Sequence, residues 1–121
     1  MRVAPIILWT GQALPASGVV TSKAIPINQA YGYAVQVYWT GSPVGNFSLN
    51  GSCDPGQIDP DGTIVGVTNW TTITGSSTAA GGMAGTILYN APDVMYLWFQ
   101  LVYTATSGTG TATATCSVKG V

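Results

Sequence analysis

Residues Tyr33–Trp39 alternate strictly, with Tyr33, Val35, Val37 and Trp39 on one face and Ala34, Gln36 and Tyr38 on the other. β-branched and aromatic residues at a two-residue period predict a half-buried strand. The run Asn46–Cys53 repeats the pattern, with Phe47, Leu49 and Cys53 facing one way and Asn46, Ser48, Asn50 and Ser52 the other. Gly41-Ser42-Pro43-Val44-Gly45 lies between them and reads as a turn, so the two runs are expected to pair as an antiparallel hairpin. Thr111–Val118 sets Ala112, Ala114, Cys116 and Val118 against Thr111, Thr113, Thr115 and Ser117. Val94–Ala105 is apolar on both sides, with Met95, Leu97, Phe99, Leu101 and Tyr103 opposite Tyr96, Trp98, Gln100 and Val102. A strand of that kind is covered on both faces, by its own fold or by a partner.

Shorter strands are predicted at Val19–Ile27, Trp70–Thr74 and Ala84–Asn90. Asp54–Asn69 carries Asp-Pro, Pro-Gly and Asp-Gly steps and reads as a long loop. Gly75–Gly82 is a Ser/Ala/Gly-rich connection. No stretch has helical periodicity. The sum is an all-β, antiparallel β-sandwich or jelly roll of about seven to eight strands. Residues 1–15 are expected as an N-terminal arm and 16–121 as a single β-sandwich domain. The apolar run Val3–Trp9 follows one Arg and is broken by Pro5, so it reads as a packing arm and not as a signal segment.

The chain has 121 residues, 46% hydrophobic and only 6% charged, with a formal net charge of −1. There is no His and no Glu; the acids are Asp54, Asp59, Asp61 and Asp93, and the bases Arg2, Lys23 and Lys119. Three scattered bases cannot form the patch that binds nucleic acid. A Ser-His-Asp triad or a His-ligated metal cannot be built. No apolar run approaches the ~20 residues of a membrane-spanning helix. A surface so poor in charge favours association. The chain is therefore expected to be no enzyme, to use no cofactor or metal, and to live in an assembly.

Two groups of residues suggest local chemistry. Asp54, Asp59 and Asp61 share one loop; their oxygens could hold Ca²⁺, but the spacing is not that of an EF-hand, and a solvated turn explains them as well. Cys53 and Cys116 both fall on inward-facing positions of predicted strands. A disulfide between them is possible if those strands are neighbours and would add ~4 kcal/mol; two buried free thiols are the alternative. Trp39 and Phe99 read as core, whereas Tyr38, Tyr96 and Trp98 lie on the other faces of their strands, where an interface or a sugar-stacking platform would be built.

The runs Gly18–Ser22 and Ala30–Gly45, with Asn69-Trp70-Thr71-Thr72-Ile73-Thr74-Gly75-Ser76 and Leu101–Gly110, resemble small β-sandwich structural proteins of tailed bacteriophage particles. Their order is also similar to that of sugar-binding and discoidin-like sandwiches. The phage proteins often have a polar residue where Cys53 stands and a shorter middle loop than Asp54–Asn69. The resemblance implies a non-enzymatic virion protein of the head decoration (cement) type, made in the host bacterial cytoplasm and carried on the capsid exterior. Its partners would be the major capsid protein and copies of itself, as a homotrimer. The expected interface residues are Val3, Ile6, Ile7, Leu8, Trp9, Tyr38, Tyr96 and Trp98. The alternative implied is a tail or fibre component or a glycan-binding module; a secreted sandwich held by Cys53–Cys116 is a third reading.

Overall fold

A computed structural model describes residues 4–26, 30–61, 64–91 and 96–120, all as strands and their connections. Two antiparallel sheets pack face to face. The first runs in the order β1 (Ala4–Leu14), β12 (Gly110–Gly120), β4 (Ala30–Gly41), β10 (Gly85–Ala91). The second runs β2 (Gly18–Thr21), β11 (Trp98–Ser107), β5 (Val44–Ser52), β8 (Thr71–Thr72), with β3 (Ile25–Pro26) also on β11 and β9 (Thr78–Gly81) also on β5. A small hairpin, β6 (Gln57–Ile58) with β7 (Ile64–Val65), stands apart. The chain passes back and forth between the two sheets, and its first and last strands lie side by side. This is the jelly-roll form of the sandwich.

The alternating runs place their apolar faces as expected. Tyr33, Val35, Val37 and Trp39 of β4, Phe47 and Leu49 of β5, Phe99, Leu101 and Tyr103 of β11, and Ala112, Ala114 and Cys116 of β12 are all buried. Size alternates between neighbours: Ala112 is registered against Trp39, and Ala114 sits between Val37 and Trp9. The small residues make room for two indoles. Phe47 is the hub of an aromatic cluster, with ring centroids 4.8 Å from Trp39, 4.8 Å from Tyr103 and 6.4 Å from Trp9. Tyr33 stacks on Phe99 at 4.0 Å.

The expected hairpin of β4 with β5 does not form. β4 pairs with β12 and β10, whereas β5 pairs with β11, β8 and β9 in the other sheet. The turn between them is a corner of the sandwich. Gly41 takes φ 91° and approaches Gly110 so closely that a Cβ would lie 2.7 Å from its Cα, Pro43 is buried, and Ser42 N–H donates to the Thr109 carbonyl at 2.9 Å. Trp39 and Phe47 thus meet across the core instead of along a ladder.

Residues Ala4–Leu14 of the expected arm are the first strand of the sandwich. β1 pairs with β12 from Ala4↔Val118 to Leu14↔Gly110. The register slips between Ile7 and Trp9, where two residues of β1 advance past one of β12. This bulge turns the adjacent Leu8 and Trp9 both into the core, which a regular strand cannot do. The loop Asp54–Asn69 holds β6 and β7, and the strand expected at Trp70–Thr74 is only the two residues of β8.

Candidate functional site

Two outward rows of the first sheet combine exposure with an absence of charged side chains. Register places Ile7 beside Thr115, Thr115 beside Gln36 and Gln36 beside Leu88, a row across all four strands. The adjoining row is Thr86, Tyr38 and Thr113. Strands lie about 4.8 Å apart, so the row spans about 14 Å. Ile7 is 59% exposed, Tyr38 51% and Leu88 69%. No described side chain in these two rows is ionisable apart from the Tyr38 phenol. Such a surface gives up little hydration when another protein covers it, and it offers a water-soluble ion nothing to bind.

The other expected interface residues divide. Ile6 is half-buried against the core, and Leu8 and Trp9 lie inside it. Trp98 was expected on an outer face and does point away from the core, yet it is only 7% exposed. The loop after β5 folds over it: Trp98 Nε1–H donates to the Asp54 carbonyl at 2.9 Å, and Gly56 packs beside the ring. Leu8, Trp9 and Trp98 are therefore occupied by their own fold. Val3 lies outside the described residues. Leu88 was missed by the sequence reading, although it is the one large apolar residue between the outward Thr86 and Asn90 of its strand; that isolation was the available signal.

Asp54 organises this loop. Its carboxylate accepts from Asn69 N–H at 2.7 Å, from Thr68 N–H at 2.8 Å and from the Asn69 side-chain amide at 3.1 Å. The backbone N–H of Asn69, then that of Thr68, holds the carboxyl below the ordinary aspartate range. Asp59 accepts from the Gln57 side chain at 3.1 Å. The acids thus serve loop structure, and no described group of three His, Cys, Asp or Glu residues is placed to hold a metal ion.

Both cysteines are free, which corrects the possible bridge. Cys116 is buried on β12 in the first sheet, and Cys53 is exposed just past the end of β5 in the second. The alternation that aimed Phe47 and Leu49 inward ends with the strand at Ser52, so Cys53 leaves the core. Burial pushes the Cys116 thiol up to about 12.

Cys53 lies in an open cleft of about 490 Å³ between the end of β5, the segment Asn69–Thr74 and Tyr96. A second cavity of about 140 Å³ shares Ile73, Thr74 and Tyr96 and reaches Tyr33 and Tyr89. The segment is fixed to β5: Ile73 N–H donates to the Leu49 carbonyl at 2.8 Å, and Leu49 N–H donates to Ser76 Oγ at 3.0 Å. Tyr96 lies over Gly51, where a Cβ would be 3.1 Å from the ring, and its hydroxyl is hydrogen-bonded to that of Tyr33. Burial, then the bond to Tyr96, raises the Tyr33 phenol; burial also raises Tyr89, opposed by the Thr78 side chain. Tyr38, Tyr96 and Trp98 do not form one platform, since Tyr38 belongs to the outer face of the first sheet, Tyr96 to the cleft and Trp98 to the covered loop.

No protein-family model and no curated protein matches the sequence. Solved structures do share the fold. The chain is similar to PBSX exported protein XepA, at 14% identity and a TM-score of 0.62 over 98% of this chain and 37% of that one. It is similar to tripeptidyl peptidase 2, at 8% identity and a TM-score of 0.54 over 98% and 10%. It is also similar to a chain of infectious bursal disease virus, Gx strain, at 13% identity and a TM-score of 0.54 over 97% and 32%. The chain thus spans well under half of each. A sandwich shared by such different molecules establishes architecture and no single activity.

Proposed function

We propose that this chain is a non-enzymatic bacteriophage virion protein that decorates the capsid exterior, as a homotrimer, and cements neighbouring subunits of the major capsid protein. The observation that carries this reading is the row Leu88–Gln36–Thr115–Ile7 with Tyr38 beside it, an uncharged pair of rows with its large apolar groups in water. The phage-derived XepA and the chain of an infectious virus among its fold neighbours agree with it.

The mechanism is mechanical and follows from mass action. A protein that binds the assembled lattice and not the separated subunits lowers the free energy of the lattice by its binding free energy. A standard interface buries ~1,600 Å² in total. Association entropy and side-chain ordering consume much of the gross gain. A trimer that bridges several subunits meets the association cost once and makes several contacts, so the surplus per particle grows with each one. With no ion pairs in the contact, salt does little to loosen it.

Cryo-microscopy of DNA-free capsids incubated with the purified protein tests this. The expected result is added density on the outer surface at positions related by the capsid lattice. Bare capsids at saturating protein would refute the reading.

A further inference from the structure

We propose that the cleft bounded by Cys53, Asn69, Thr71, Thr72, Thr74 and Tyr96 is a binding site for a neutral carbohydrate. It is separate from the outer face of the first sheet and does not depend on the capsid role.

The chemistry of the walls selects the ligand. Among the described residues, no charged side chain lines the cleft. Asp54 stands behind it with its carboxylate already accepting from Thr68 and Asn69. A phosphate or a carboxylate would lose its hydration here and find no cation in return. A purely apolar ligand would bury threonine hydroxyls without partners and lose their hydration. A sugar meets both demands. Its hydroxyls donate and accept, as threonine hydroxyls do. Thr72 Oγ1 donates to Asn50 Oδ1 at 3.1 Å and keeps its lone pairs free to accept. Asn69 gives its N–H groups to Asp54, which leaves its carbonyl oxygen to accept from a ligand hydroxyl.

Tyr96 supplies the apolar surface for a sugar ring. It is held by Gly51 on one side and by the Tyr33 hydroxyl at its tip, so little freedom is lost on binding. Behind it, the smaller cavity is lined in part by Tyr89, whose hydroxyl is buried without a hydrogen bond of ordinary geometry. A small polar substituent on the sugar fits that space.

Cys53 provides the readout, because it lines the cleft and is exposed, while Cys116 is buried and serves as an internal control. The probes are neutral oligomers of glucose, galactose, mannose and N-acetylglucosamine, with heparin as the charged control. At least one neutral oligomer is expected to slow Cys53 alkylation by iodoacetamide about tenfold, with heparin inactive. Calorimetry should show the same oligomer losing about tenfold or more in affinity for Thr71→Trp and for the Cys53-alkylated wild type. The second needs no new fold. Failure of every neutral oligomer to protect Cys53, protection by heparin as well, or undiminished affinity after the cleft is blocked would overturn the proposal. Capsid occupancy is expected to stay unchanged by Cys53 alkylation, which keeps the two functions separable.

Discussion

Trp98 donates its indole N–H to the backbone carbonyl of Asp54 at 2.9 Å, and the side chain of Asp54 in turn gathers Thr68 and Asn69. One residue thereby ties both ends of a long loop to the sheet it covers. An indole that would otherwise stand on the outer face of β11 is hidden by a loop that Asp54 closes.

Removing the Asp54 carboxylate should open that loop. Asp54→Ala leaves the Thr68 and Asn69 N–H groups without their acceptor, and Trp98 emission should shift to the red while thermal stability changes little. Acid should act in the same direction. The folded carboxyl titrates below its ordinary value of 3.8, so its contribution is complete above that value and is lost as pH falls through the lower, folded one. Fluorescence titration of the wild type and of Asp54→Ala should therefore converge only in strong acid.

The aromatic hub predicts a large stability loss at one position. Phe47 has no exposure and contacts three rings. Phe47→Ala should cost about 3–5 kcal/mol, read by urea unfolding, because a cavity between two sheets collapses poorly.

β1 is part of the fold, so its deletion should do more than weaken binding. Removal of residues 2–9 takes Leu8 and Trp9 out of the core and bares the edge of β12. Thermal unfolding should show loss of the cooperative transition, and gel filtration should show aggregation through the uncovered strand.

Alternation made much of this sandwich legible. The inward faces of β4 and β12, and most of β5, follow directly from period two, and so does the burial of Trp98, Phe99, Leu101, Val102 and Tyr103 on the two faces of β11, whereas Leu97, expected on the same buried face, precedes the strand and is exposed. What alternation cannot encode is which strand lies beside which. A tight turn of Gly, Ser and Pro suits a hairpin and a sandwich corner alike; the corner is what lets Trp39 and Phe47 meet across the core, tilted at 4.8 Å. The bulge in β1 was illegible for a related reason: two adjacent inward residues break the very pattern used to find strands. For the candidate site, the exposure of Tyr38 follows from its outward place in the alternation of β4, whereas Ile7 was expected within an apolar arm and its outward place on a strand was not legible. Trp98 was misplaced because its cover comes from a loop distant in sequence.

Thiol chemistry separates the two cysteines. Native protein should react at Cys53 promptly and at Cys116 only on unfolding, since Cys116 is buried and its thiol is pushed up to about 12. Mass before and after reductant should be identical. A loss of two protons on air oxidation of the folded protein would contradict this.

The measurement that bears most directly on the central claim compares capsid binding of the wild type with that of the triple variant Ile7→Ser, Tyr38→Ser, Leu88→Ser. All three side chains are more than half exposed, so the variant should unfold at nearly the wild-type temperature. Its affinity for DNA-free capsids should fall about a hundredfold or more, while wild-type binding should hold from low to high salt. Equal occupancy by the two proteins, or wild-type binding that high salt abolishes, would contradict an interface made by the uncharged rows of the first sheet.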